Sequence, residues 1–189
     1  SRCCGWSAMR VATVTAEFRS RVRPVGTATP SASSRSSKSP GLSRSQGGSA
    51  VIDAWSRRVV RWSIADPIRA ELVADALQMA TWRRRPPKDQ TIAHSDHGSV
   101  YTSWLFGNRL RHAGLLGSMG SIGDAYDNSV AEAFFSSLQR ELLDQHHWET
   151  RDQLARAMFE WIETWYNPRR RHSYNQGLSP IDYETANAA

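Results

Sequence analysis

Asp96 and Glu132 are the two residues whose type and surroundings best suit chemistry on a phosphodiester. Asp96 lies in His94-Ser95-Asp96-His97-Gly98-Ser99, and Glu132 lies in the motif of residues 127–135, with thirty-five residues between the two acids. Two carboxylates that come together from a strand end and a helix can hold a divalent metal ion against a phosphate. The pair therefore predicts metal-dependent strand transfer in DNA.

The apolar pattern predicts the strand and the helix that would carry these acids. Residues 91–96 form a short strand, so Asp96 would stand at its carboxyl end, where the sites of open α/β sheets lie. Asp127 or Asn128 is predicted to cap the later helix. Glu132 can point into a site, because two residues turn an α-helix by about 200° and Phe134 faces the core. The apolar stripe of this helix consists of Val130, Phe134, Leu138 and Leu142.

The other predicted elements complete a mixed α/β domain. Residues 50–55 and 59–64 read as two strands of a hairpin with a basic turn, and residues 115–119 read as a further strand. Helical spacing of apolar residues predicts three more helices. These helices cover residues 67–82, residues 101–112 with Trp104, Leu105 and Leu110 towards a core, and residues 151–165 with Leu154, Met158, Trp161, Ile162 and Trp165.

The first 49 residues differ in composition from the rest. Residues 1–50 hold twelve serines, and eight basic residues against Glu17 alone, so the formal charge of +6 belongs to this segment. We expect residues 25–49 to be disordered, because they have almost nothing to bury. Residues 11–18 are β-branched and can form a strand, although nothing nearby fixes its register. Because the basic excess lies in the tail, it is weak evidence for nucleic-acid binding.

Cysteine usage and hydropathy bear on where the protein works. Cys3 and Cys4 are adjacent and give neither a disulfide framework nor the spacing of a zinc site. No apolar run reaches the roughly 18–20 residues of a membrane span, and the N-terminus lacks the apolar stretch of a signal peptide. We therefore expect a soluble, cytoplasmic protein with no membrane partner.

Several long motifs resemble the catalytic core of bacterial insertion-sequence transposases of the OrfB type, in the retroviral-integrase superfamily. They follow the family's order and spacing over about residues 50–184. The motifs are residues 94–103, 118–119, 124–138, 165–173, 177–180 and 183–184. The resemblance implies a ribonuclease-H-like fold with a mixed sheet flanked by helices, followed by a tail of residues 185–189.

The same resemblance implies a function and a site. It implies a DDE polynucleotidyl transferase that binds two Mg²⁺ or Mn²⁺ ions, cleaves DNA at insertion-sequence ends and joins the strands to a target. Asp96 matches the family's second carboxylate and Glu132 its third, so both are implied to be catalytic residues and metal ligands. The implied partners are element ends and target DNA, bound by a homo-oligomer at the bacterial nucleoid.

The family's first carboxylate is missing. The family places it in a strand of the form Trp-x-x-Asp-x-Thr-Tyr, roughly 18 residues before the position of Asp53, and Arg35 stands there in this sequence. We therefore expect an incomplete core that lacks its first central strand. Either a diverged N-terminal half or a wrong reading frame up to about residue 49 explains the gap. The abrupt change at Ala50 favours the second explanation.

The gap also leaves an alternative function open. Residues 11–18 are the only candidate for a replacement strand, with Glu17 as a conceivable surrogate ligand. Asp53 itself is expected to be structural. If no ligand replaces the missing one, the chain is a catalytically inactive remnant that binds DNA or partner subunits without chemistry.

Six residues are candidates for contact with nucleic acid. Asn128 either caps its helix or lies beside the site. Gln139 stands where the family usually has a lysine suited to a DNA phosphate, two turns after the glutamate, and Arg140 follows it. This departure is expected to weaken contact with terminal DNA. The basic run Arg169-Arg170-Arg171 either binds phosphates or is solvated surface.

Overall fold

Five strands form the centre of the molecule. The computed structural model describes residues 10–22, 44–65, 70–95, 104–119 and 125–188. Within them the strands are β1 (Arg10–Val22), β2 (Arg44–Asp53), β3 (Val59–Ala65), β4 (Thr91–Ser95) and β5 (Leu115–Met119).

The strands make one mixed sheet in the order β3-β2-β1-β4-β5. β2 runs antiparallel to both β1 and β3, whereas β4 runs parallel to both β1 and β5. Val11 pairs with Asp53 on one side of β1, and Ala12 pairs with His94 on the other side. β1 is therefore the central strand, with neighbours on both sides.

Helices cover both faces of this sheet. The α-helices are α1 (Ala70–Arg84), α2 (Trp104–His112), α3 (Ala125–Glu141), α4 (Arg151–Glu160) and α5 (Pro180–Ala186). A 3₁₀ turn, Leu143–Gln145, follows α3, and a π-helical turn, Trp161–Tyr166, continues α4. The largest apolar cluster joins β2 to α3, α4 and the π-helical turn, and a second joins β4 and β5 to α1 and α2.

Local sequence explains where the last two helices begin. The Thr150 hydroxyl accepts the Gln153 amide at 3.1 Å at the start of α4. The Ser179 hydroxyl accepts the Asp182 amide at 3.1 Å at the start of α5, and Pro180 occupies the first turn of that helix. Both are N-caps that satisfy backbone donors of the first turn.

Most predicted elements are confirmed. The β2–β3 hairpin, β4, β5 and the helices α1 to α4 lie where the apolar pattern places them. The apolar stripe of α3 is buried as predicted. Two tryptophans expected in the core are not there, since Trp104 is 75% exposed and Trp165 is 46% exposed. Each lies at a helix end, where the apolar pattern defines the buried side least well.

The N-terminal expectations need correction. The place of the central strand, expected to be lacking, is occupied by β1, because the β-branched run of residues 11–18 finds backbone partners on both sides. Residues 44–49 were expected to be disordered, but they belong to β2, where they pair with β1 and, from Gly47 on, also with β3. Residues 23–43 lie outside the described part of the chain.

Two helix boundaries also differ from expectation. α3 begins at Ala125, so Asp127 and Asn128 lie inside the helix instead of capping it. α5 extends to Ala186, which takes the first two residues of the expected tail into the fold. None of the described helices combines the length and the apolar character that crossing a bilayer requires.

Candidate functional site

The two faces of the sheet are distinguished by the helices that pack on them. Ala50 and Ile52 of β2 belong to the apolar cluster that contains Phe134 of α3. Val51, between them, belongs to the cluster that contains Ala80 of α1. Because successive residues of a strand point to opposite faces, alternation separates an α3 face from an α1 face. A site that includes a residue of α3 must lie on the α3 face.

Glu132 lies in the second turn of α3 with its side chain exposed. The neighbouring Val130 and Ala131 are buried, and Phe134 is only 2% exposed. The predicted separation of Glu132 from the apolar stripe is therefore confirmed. The stripe fixes the rotation of the helix, and that rotation holds Glu132 on the outer side.

Asp96 follows directly on the last residue of β4. That residue, Ser95, is buried, and Asp96 itself lies outside the described residues, as does the side chain of Asn128. The convergence of Asp96 with Glu132 thus stays a prediction. The described part of the arrangement is the carboxyl end of β4 beside the central strand β1.

The register of β1 shows which of its positions share the face of α3. Val14 pairs with Ala50, and Ala12 pairs with Ile52. Since paired residues of neighbouring strands share a face, positions 12, 14 and 16 belong to the α3 face. Positions 13, 15 and 17 belong to the α1 face by the same alternation.

This register bears on the missing carboxylate. Val14 lies two residues beyond Ala12, at a position of β1 on the α3 face, and none of the residues at positions 12, 14 and 16 is acidic. Glu17 is the only acidic residue of β1. It pairs with Gly47, at a position of the α1 face, and the register therefore disfavours the surrogate role considered for Glu17.

The described residues include only part of the predicted donor set for a metal ion. Carboxylate oxygens such as those of Asp96 and Glu132 are the donors that Mg²⁺ and Mn²⁺ prefer. However, position 14 is a valine, and among the described residues no three His, Cys, Asp or Glu side chains are grouped so as to hold a metal ion. Of the two predicted ligands, Glu132 lies in the described part of the chain.

The two residues at the end of α3 that were predicted to contact DNA form hydrogen bonds with other residues of the chain. The Gln139 side-chain amide donates to the Asp144 carboxylate at 2.5 Å, and the Arg140 guanidinium donates to the Ser136 carbonyl at 3.2 Å. Arg140 remains exposed. Both residues lie at the opposite end of α3 from Asn128.

The arginine run divides into one inward and two outward residues. Arg170 forms an ion pair with Glu141 at 2.9 Å, donates to the Ser137 hydroxyl at 2.9 Å, and lies over the ring of Tyr166. Arg169 and Arg171 are exposed. Arg169 and Arg171 are therefore the two arginines of this run whose side chains are open to solvent.

A buried charged network surrounds Asp53, at the end of β2. Asp53 is 0% exposed, and one carboxylate oxygen accepts the Trp55 amide at 3.0 Å and the Ser56 amide at 3.4 Å. The other oxygen lies 3.4 Å from the Arg84 guanidinium without a hydrogen bond. Burial raises the pKa of Asp53, an effect larger than the opposing charge of Arg84. The expectation that Asp53 is structural agrees with this geometry.

Glu184 of α5 completes this network. It accepts the Ser56 hydroxyl at 2.7 Å and Arg58 at 2.6 Å, and it forms an ion pair with Arg84. Burial raises the pKa of Glu184, but the hydrogen bonds from Arg84, Ser56 and Arg58 more than offset it, so the pKa is lowered overall. Sequence reasoning missed this network. The Asp-x-x-Ser turn was a visible local signal, whereas the distant Arg84 and Glu184 gave none.

Two segments of the chain match a known domain family. Residues 48–125 and residues 132–187 match families that are both described as Integrase core domain. The chain is also similar to the InsF transposase of insertion sequence IS3A from Escherichia coli K12, with 43% identity over 139 residues. That alignment covers 74% of this chain and 48% of the relative, so the chain spans about half the length of the curated relatives it matches.

Solved structures show the same fold. The Mos1 transposase in a paired-end complex with the left transposon end has a TM-score of 0.60 at 16% identity, covering 98% of this chain and 56% of that chain. The catalytic core of HTLV-2 integrase in complex with magnesium has a TM-score of 0.58 at 11% identity, covering 93% and 95%. The predicted ribonuclease-H-like fold is confirmed.

Proposed function

Because the chain belongs to the bacterial insertion-sequence transposases with an integrase core domain, we propose that it acts in DNA transposition. The reaction is metal-dependent phosphodiester cleavage at insertion-sequence ends, followed by strand transfer. The observation that carries the proposal is the match of the integrase core domain on both sides of residues 126–131, because the two matched segments contain Asp96 and Glu132.

In this proposal Asp96 and Glu132 are the metal ligands. A bound Mg²⁺ or Mn²⁺ ion would activate the attacking oxygen and stabilise the leaving oxygen of the phosphodiester. The contribution of the chain is the sheet that fixes the end of β4 beside β1, and the buried stripe that holds Glu132 outward on α3. A hydrophobic core on both sides of the sheet keeps these elements in place.

The proposed partners follow from the relatives. The Mos1 complex holds a transposon end, and the HTLV-2 core was solved with magnesium in a trimeric form. By extension, this chain binds element ends and target DNA as a homo-oligomer, with Asn128, Arg169 and Arg171 as candidate phosphate contacts. The place of action is the bacterial cytoplasm, at the nucleoid.

A second candidate function is a transposase remnant that binds DNA or partner subunits without chemistry. The specific observation in its favour is that the residues at the α3-face positions 12, 14 and 16 of β1 are Ala, Val and Ala, none of them acidic. Two carboxylates without a third bind divalent ions less tightly. The two candidates agree on DNA binding and differ on chemistry.

The test is an end-cleavage and joining assay with Mg²⁺ or Mn²⁺ and a labelled duplex carrying the insertion-sequence ends. If the chain is active, Asp96→Asn and Glu132→Gln each lower product by about 100-fold or more. Glu149→Gln, which alters another exposed acid, leaves product unchanged. Product that persists in Glu132→Gln would overturn the site assignment.

Restoring a carboxylate separates the two candidates. If the wild-type chain is a remnant, it gives no product, and Val14→Asp on the α3 face gains cleavage that depends on Glu132. Thr13→Asp is the matched control, because the neighbouring position belongs to the α1 face. Product from wild-type chain would rule out the remnant, and equal gains in both variants would refute the assignment of position 14.

A further inference from the structure

The outer face of α2 combines an exposed aromatic ring with a basic side chain. Trp104 is 75% exposed, more than any other large apolar side chain that the structure describes. At about 100° per residue, Asn108 and Arg111 lie within about 40° of Trp104 round the helix. Phe106 and Leu110, on the opposite side, are buried. The three outer residues form a stripe about 10 Å long.

This stripe carries positive charge. α2 contains no acidic residue. Arg109 is turned towards α1, where its guanidinium lies 3.7 Å from Asp75 and donates to Gln78 at 2.8 Å. Arg111 donates to Asn108 at 3.4 Å, and no acidic side chain in the described segments pairs with it. Arg111 is exposed and lies on the same side of α2 as Trp104, two turns along the helix.

Lys88 adds a cation past the end of α2, next to the exposed acid Asp89. The Asp89 amide donates to the Gly114 carbonyl at 2.7 Å, which ties the loop before β4 to the loop after α2. The side chain of Lys88 lies over Gly114, where an added Cβ would approach its Cγ to 3.0 Å. Lys88 is exposed, so a second cation lies near the last turn of α2.

Another exposed tryptophan, at the end of α1, provides the comparison for this surface. Trp82 of α1 is 72% exposed. It follows Glu71, Asp75 and Met79 on one side of the helix, at intervals of three or four residues. The two acids lie in the earlier turns of α1, whereas the last turn, which holds Trp82, also holds the basic Arg83 and Arg84.

We propose that the outer face of α2 binds single-stranded DNA, with an unpaired base stacked on Trp104 and backbone phosphates held by Arg111 and Lys88. The proposal rests on the proposed function in DNA transposition. An exposed indole ring stacks on any unpaired base, and adjacent cations hold the phosphates. Only residues 96–103 separate α2 from β4, and this segment begins with Asp96. The bound DNA strand would therefore contact residues that follow Asp96 closely in the sequence.

The test is fluorescence anisotropy with a labelled single-stranded oligonucleotide and with the same sequence as a duplex. We expect Trp104→Ala to weaken single-strand binding about tenfold and duplex binding less than twofold. Trp82→Ala is the matched control and leaves both affinities unchanged. Arg111→Gln weakens binding and reduces the magnitude of the slope of log affinity against log salt by about 0.7. Arg151→Gln, at an exposed arginine of α4, does not.

Each outcome decides the proposal. Trp104→Phe retains binding if stacking is the cause, and urea midpoints equal to wild type show that the variants are folded. Unchanged single-strand affinity in Trp104→Ala, or an equal loss in Trp82→Ala, would overturn the proposal. The measurement is independent of cleavage, so a chain without transposition chemistry still passes or fails it.

Discussion

Asp53 and Glu132 are both acidic residues beside apolar stretches, yet they occupy opposite environments. Asp53 is fully buried between backbone amides and Arg84, whereas Glu132 lies on the exposed side of α3. Taking a carboxylate out of water is costly unless charges and donors surround it. From this difference we expect replacement of Asp53 to destabilise the fold more than replacement of Glu132.

Among the substitutions that test this difference, Arg84→Met is expected to give the largest loss of stability. Arg84 is the cation shared by Asp53 and Glu184, so its removal leaves two poorly hydrated carboxylates side by side. We expect the free energy of unfolding to fall by about 3 kcal/mol. Urea denaturation of the purified chain at pH 7 measures the change.

Arg83→Met is the matched control for this substitution. The Arg83 side chain is half exposed, and its guanidinium is 4.0 Å from Glu163. We expect a change within about 0.5 kcal/mol, since exposed ion pairs contribute little. Equal losses in the two variants would mean that the buried network contributes no more than a surface pair.

Local patterns predicted the parts of the fold that local forces determine. The hairpin of β2 and β3, the strands β4 and β5, and the buried stripe of α3 follow from alternation or helical spacing within ten or so residues. The outward position of Glu132 follows from the same stripe. These features need no knowledge of distant partners.

The remaining features depend on contacts between distant residues. Residues 11–18 could be recognised as β-branched, but their central place comes from pairing with β2 and β4, which follow later in the chain. The network of Asp53 joins Arg84 to Glu184 across 100 residues of sequence. The exposure of Trp104 depends on how a nine-residue helix rotates against α1.

A smaller effect on stability is expected from His172. This residue lies close enough to Arg57, in the turn between β2 and β3, for the charge of Arg57 to lower its pKa. The centroid of its ring lies 5.1 Å from the centroid of the Tyr166 ring. Its Nε2 atom is buried without a hydrogen-bond partner among the described residues. Burial, with the nearby charges of Arg170 and Arg57, lowers the pKa of His172 to about 4. The folded chain therefore takes up this proton at lower pH than the unfolded chain.

This pKa difference gives a pH dependence with a definite sign. Between about pH 6.5 and pH 4 the unfolded state binds the proton and the folded state does not, so stability falls as the pH is lowered. From pH 7 to pH 5 we expect a loss of about 1 kcal/mol from this group, reduced by its partial exposure. The His172→Gln variant is therefore expected to lose about 1 kcal/mol less stability than the wild type between pH 7 and pH 5. Urea titrations of both proteins at the two pH values measure this difference. Parallel losses in both proteins would contradict the assignment.

Glu132→Gln is expected to have the smallest effect on stability. It also tests the difference between Glu132 and Asp53 most directly. The substitution keeps the shape of an exposed side chain on α3, so the free energy of unfolding changes by no more than about 0.5 kcal/mol. Asp53→Asn, by contrast, replaces a buried acid beside Arg84 and lowers it by roughly 2 kcal/mol. A loss above about 1.5 kcal/mol in Glu132→Gln would make Glu132 a second structural acid. A change near zero, together with lost cleavage product in an active chain, would place its role in chemistry alone.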